Sequence, residues 1–153
     1  MTKITTVYNY FTTNLPTIFP SKTRIPNGYS LADNSIHFLK DGYGLKTEGH
    51  FPNTQQLNFI VQQYSFKIVL CREILRMESD FDPMDTAVKQ IEEDTFTARE
   101  FFYDIDCNAI PDEVDRITLG PTDPIGFLIA GNNNFIFVET SILVSIREQY
   151  ANC

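Results

Sequence analysis

Apolar residues recur along this chain with two different periods, and the changes of period mark its elements. Ile4, Val7, Tyr8, Phe11 and Leu15 keep helical spacing and predict a first helix over 2–14, closed by Pro16 and Pro20. Five threonines in that stretch lower its intrinsic propensity, so packing must hold it. The segment KTRIPNGYS then reads as a short strand and a turn at Pro26-Asn27-Gly28. SIHFLKDGYGLKTEG reads as a hairpin over 36–49 bent at Asp41-Gly42, because an Asp-Gly pair flanked by apolar residues favours a tight turn. From 55 to 75 the pattern is extended. Within it Phe66, Ile68 and Leu70 alternate with Lys67, Val69 and Cys71, which predicts a strand covered on both faces.

A second helix is predicted over Asp82–Tyr103. Asp82 caps it, Pro83 takes the first helical position, and Asp85 puts negative charge at the positive end of the helix dipole. At about 100° per residue, Met84, Ala87, Val88, Ile91, Thr95, Ala98 and Phe102 share one face. Phe96 points roughly 130° away from the middle of that face, among Asp85, Lys89, Glu92, Glu93 and Glu100, and Tyr103 joins it one heptad later. Two readings of these rings stand: a surface that meets a second protein, and ordinary exposed aromatics. The polar connection CNAIPDEVD follows, then a short strand RITLG. A closing hairpin is predicted with Ile125–Ala130, a turn over Gly131–Asn134, and a long strand from Phe135 to about Arg147. The order predicts an α+β fold: a mostly antiparallel sheet with two main helices packed on one face.

Composition changes this picture only at its limits. With 153 residues, 42% hydrophobic content and 13 Phe, the chain is expected to form a single domain over 1–153 with a real core. No apolar run approaches the ~20 residues of a membrane helix, and the first residues show no signal-peptide pattern. Cys71, Cys107 and Cys153 have neither disulfide-framework nor zinc spacing. Charge is more telling. Residues 1–77 hold 8 Lys/Arg against 4 Asp/Glu, residues 78–115 hold 2 against 13, and residues 116–153 hold 2 against 3. The acidic middle argues against tight binding of a phosphate backbone, which needs clustered cations.

Catalytic chemistry finds little support. Gly42-Tyr43-Gly44 lacks the third glycine and the setting of a nucleotide loop. Asp80, Asp82 and Asp85 lack the glycine and distal glutamate of a calcium loop, and capping accounts for two of them. His37 and His50 have no ligand spacing, and no nucleophile elbow occurs. No metal and no cofactor is expected, and the chain is not expected to be an enzyme.

The layout carries more than any motif. An N-terminal helix followed by RIPNGYSLADNSIHFLKDGYGLKTEG, the strand FKIVLCREI, and the helix DTAVKQIEEDTFTAREFFYD before FIFVETSILVSIREQY together resemble the tail terminator proteins of long-tailed bacteriophages and related neck completion proteins. A basic residue after the first strand pair, here Arg72 in Leu70-Cys71-Arg72-Glu73, belongs to the same likeness. The resemblance implies a sheet flanked by helices. It also implies a virion protein assembled in the host cytoplasm, forming a ring, usually a hexamer, that caps the tail tube and meets the neck or stopper protein. DNA would pass its lumen without specific binding, and no membrane is involved. The expected contact residues are those of a projecting arm at the predicted hairpin (Phe38, Leu39, Asp41, Gly42, Tyr43 and Leu45), together with Phe96 and Tyr103 on the helix. Three rival readings stand: a neighbouring stopper or adaptor ring, an acidic DNA mimic, and a nuclease or hydrolase using Asp80, Asp82, Glu92 and Glu93.

Overall fold

The computed structural model describes residues 3–56, 59–75, 82–103, 112 and 114–149, leaving aside the side chains of 51, 53–56, 103 and 149. Its frame is three long strands: β2 (Asp41–Gln56), β3 (Phe59–Glu73) and β6 (Asn133–Gln149). β3 runs antiparallel to both neighbours along its whole length, from Phe59 opposite Gln149 to Glu73 opposite Phe135. A two-residue strand β1 (Thr23–Arg24) adds in parallel to β2, while β4 (Val114–Thr122) and β5 (Gly126–Ala130) follow one another along the outer side of β6. The order across the sheet is β1-β2-β3-β6-β4, with β5 beyond β4 on the same rim. This is the α+β architecture that the sequence predicts.

Both main helices, α1 (Lys3–Ile18) and α3 (Pro83–Tyr103), cover one face. Val7, Phe11 and Leu15 of α1 and Ala87, Ile91, Ala98 and Phe102 of α3 are buried in one cluster with Tyr43, Leu45, Phe66, Ile68, Leu70, Ile136, Val138 and Ile142. The alternation along β3 works as predicted, since Val69 and Cys71 are buried on the opposite face. There a short helix α2 (Ile36–Leu39) and the segment before it close a second cluster of Ile25, Leu39, Cys71 and Phe135. Burial pushes the Cys71 thiol up to about 12, so at neutral pH it is a small core hydrophobe and not a nucleophile.

The cap of α3 is formed as the sequence predicts: the Asp85 N–H donates to Asp82 Oδ1 at 3.0 Å. α1 runs longer than predicted, to Ile18, with Pro16 inside it. Proline forfeits only its own N–H, near the helix end, and the Phe19 N–H still donates to the Leu15 carbonyl at 2.9 Å, so burial of Leu15 and Phe19 carries the turn through.

The hairpin at Asp41-Gly42 does not exist. Ile36–Leu39 is helical and Asp41 begins β2, which continues without a turn to Gln56. Neither Gly42 nor Gly44 has a positive φ. Their glycine character serves close packing: a Cβ on Gly42 would run into the Phe38 carbonyl oxygen and the Ile25 side chain. The extended stretch read over 55–75 is in fact the end of β2 and all of β3, joined at 57–58, outside the described residues. The polar connection 107–115 likewise falls largely outside them. The last hairpin is as predicted apart from its turn, which is tighter: Gly131 and Asn132 join β5 to β6, with Gly131 at φ +62°.

Candidate subunit interface

α3 is fixed to the sheet by charged contacts on both of its flanks. On one flank Asp94 accepts from Lys22 at 2.8 Å and from Arg72 Nε at 2.9 Å, and Lys22 also pairs with Asp41. The Lys22 side chain is only 4% exposed and its ammonium lies 5.5 Å from the centre of the Phe19 ring. This knot ties the end of α1, the start of β2, the end of β3 and the middle of α3 together, and it gives Arg72 a structural task. On the other flank Arg99 donates to the Gly120 carbonyl at 2.6 Å and to Thr140 Oγ1 at 3.1 Å, anchoring the helix above β4 and β6.

Those anchors orient the wet face. Phe96 stands about 60° round the helix from Arg99 and about 160° from Asp94, so it lies on the β4 side. Glu92 is about 20° from Arg99 and belongs to the same flank. Beside the start of α3 runs β5, a five-residue rim strand. Its Phe127 and Ile129 are paired with Ile136 and Asn134 on the helix side of the sheet. Although Asp82, Pro83 and Met84 at the start of α3 line the same cleft, Phe127 is 67% and Ile129 75% exposed. Leu75, 54% exposed, faces the same cleft beside Met84. Phe96 itself is 66% exposed. Three of the five large exposed apolar side chains among the described residues, Leu75, Phe127 and Ile129, therefore line one cleft at the start of α3, and Phe96 stands further along the helix. The fifth, Tyr29, sits at the opposite rim with its hydroxyl accepting from the Thr47 N–H at 3.0 Å.

The predicted contact residues separate under this geometry. Phe96 stays on the surface, and the Tyr103 side chain lies outside the described residues. Leu39, Gly42, Tyr43 and Leu45 are core, Phe38 is half-buried and Asp41 belongs to the Lys22 knot, so these six form no projecting arm. The sequence reading missed Phe127 and Ile129. Pro124 immediately before a short apolar strand was the available signal, since proline near a strand start marks a rim.

The titratable candidates are dispersed. Asp82 is the helix cap, Asp85 pairs with Lys89 at 3.1 Å, and Asp80 lies outside the described residues. Among the described residues no three His, Cys, Asp or Glu side chains converge on a metal-sized site. His37 is in α2 rather than in a strand, with Nδ1 3.1 Å from Ser35 Oγ, and the His50 ring lies 4.8 Å from that of Tyr64. A second dense charge cluster lies on the back of the sheet. Lys46 and Lys67 are directly opposed, a repulsive pairing offset by Glu48, Glu139 and Asp123 at 2.7–3.6 Å.

Burial alone would raise the carboxyl of Glu48, but hydrogen bonds and charge from Lys46 and Lys67 outweigh it and hold it below the usual range. A carboxyl lowered in the folded state stabilises above its ordinary value, and that contribution disappears as pH falls through the folded value. Urea unfolding followed from neutral pH down through the carboxylate range should show Glu48→Gln losing less stability on acidification than the parent chain. Parallel curves would remove Glu48 from the acid response.

No helix among the described residues is long and apolar enough to cross a membrane. No protein-family model matches the chain, and no curated protein matches it.

Proposed function

We propose that the chain is a structural virion subunit that forms a ring at the head-proximal end of a bacteriophage tail, where it ends tube growth and joins the tail to the neck. One observation supports this reading: two helices pack on one face of a mostly antiparallel sheet that leaves Leu75, Phe127 and Ile129 exposed around one cleft and Phe96 exposed on the helix above. A ring subunit needs such a flank, because each copy buries part of its surface against the next. Its partners in this reading are further copies of itself, the tail tube protein and a neck or stopper protein, with DNA passing through the lumen without specific contacts. A stopper or adaptor ring next to the terminator is the same reading one station away.

Negative-stain imaging of the purified chain, alone and mixed with tail tubes of its own virus, tests the reading. Rings or capped tube ends are expected; free monomers beside uncapped tubes would end it. Phe96→Ser should keep the melting profile of the parent while reducing the fraction of rings or capped ends, since aromatic anchors carry much of the energy of protein contacts. Normal capping by a folded Phe96→Ser chain would remove this ring from the contact.

A further inference from the structure

The two rims of the sheet differ in chemistry, and the differences are complementary. The β5 rim carries Phe127 and Ile129 beside the start of α3, and the wet face of α3 carries Phe96 with Glu92, Glu93 and Glu100, its cation Lys89 being paired with Asp85. At the β1 rim Arg24 is exposed, exposed Pro26 and Tyr29 follow it in the chain, and exposed Lys40 immediately precedes β2. Arg24 lies opposite Tyr43, whose side chain belongs to the helix-side core, so its register position is on the same face of the sheet as α3. No further strand lies beyond β1 at one rim or beyond β4 and β5 at the other among the described residues.

We infer that the α3–β5 rim is a docking surface for the β1 rim of a second copy of this chain, in a head-to-tail contact. Phe127 and Ile129 pack against Tyr29 and Pro26 of the neighbour, and Glu92 faces its Arg24. The net acidic wet face of α3 and the cationic Arg24 select this neighbour over one turned to present the same rim, where acid would meet acid. Because the two surfaces differ, a pair of copies leaves one of each kind unused. Such a contact closes only as a ring and otherwise continues as a filament. The inference rests on the ring reading in one respect, that the chain self-assembles, and it assigns the surfaces that do so.

The test uses two variants, one for each rim, measured by light scattering coupled to size separation over a wide concentration range. Ile129→Asp places a charge on the α3–β5 rim, and Arg24→Glu reverses the β1 rim; both side chains are exposed, and melting curves matching the parent confirm the fold. The parent should assemble and each variant alone should be monomeric. An equimolar mixture should give particles of twice the chain mass and no larger. In that mixture the intact α3–β5 rim of the Arg24→Glu chain meets the intact β1 rim of the Ile129→Asp chain, and the damaged rims stop growth.

A mixture that stays monomeric overturns the head-to-tail pairing, and so does a variant that assembles normally by itself. If the parent forms rings and caps tubes while both variants do the same, the surface assignment fails and the ring reading survives. If the mixture pairs as expected but the parent never caps a tube, the tail reading fails and the rim pairing survives. A parent that is monomeric throughout overturns the inference.

Discussion

Replacing Phe102 with alanine is expected to lower the unfolding free energy by about 3–5 kcal/mol, the range for truncating a buried aromatic ring. The ring is buried where α1, α3 and the sheet meet, with centroids 4.8 Å from Phe11, 5.1 Å from Phe101 and 6.2 Å from Tyr10. Phe11 in turn stacks on Phe66 at 4.7 Å. Alanine would leave a void that these rings cannot fill without leaving their own partners. For a chain of this size the loss corresponds to a melting temperature lower by on the order of 10 °C. Phe96→Ser on the opposite face of the same helix serves as the comparison, with stability close to that of the parent. Urea unfolding in which Phe102→Ala matches the parent would mean that the core face of α3 is misplaced.

The second large effect is expected at Asp94. Removing its carboxylate by Asp94→Ala leaves Lys22, almost wholly buried, and Arg72 facing each other with only Asp41 between them. Breaking a fully buried pair costs about 3–5 kcal/mol, and the partial exposure of Asp94 and Arg72 reduces this to about 2–4 kcal/mol. Lys22→Met provides the contrast, because Asp94 keeps Arg72 and the apolar stem stays beside Phe19; a change within about 1 kcal/mol is expected. Equal losses in the two variants, measured by the same urea unfolding, would show that the knot contributes through packing rather than charge.

How much of this was legible in the sequence depends on how many physical meanings a local signal has. The cap and stripe of α3 have essentially one, and the helix appears where Asp82 and the Ile91 face place it. The pattern of β3 likewise predicted burial on both sides. Asp41-Gly42 has two meanings, since glycine serves a tight turn and also a close approach of chains. The second meaning holds here, because Phe38 and Ile25 crowd the strand. That is a tertiary fact which no window around Gly42 contains. The join at 57–58 carries no glycine, so two strands read as one.

For the candidate surface, Phe96 was visible because helical periodicity separates wet positions from dry ones. Phe127 and Ile129 were not, because GFLIA is apolar throughout. Which of its faces is uncovered depends on what packs above and below it, which no window around the strand contains.

The bulges of β2 bear on how the chain behaves when no partner is present. Register shifts fall between Thr47 and His50, where Gly49 has φ +81°, and between Pro52 and Thr54. A bulge twists the strand away from a flat template, proline removes a donor, and the charge of Glu48 disfavours stacking, so the far half of this rim resists adding a foreign strand. β5 is guarded only by its shortness and by Pro124: Leu128 and Ala130 pack into the back-face cluster, but Phe127 and Ile129 stay exposed on the helix side. Unassembled chains that meet at this strand have an open route to amyloid-like aggregation, and sealing β5 early protects the pool of free subunits as much as it builds the particle.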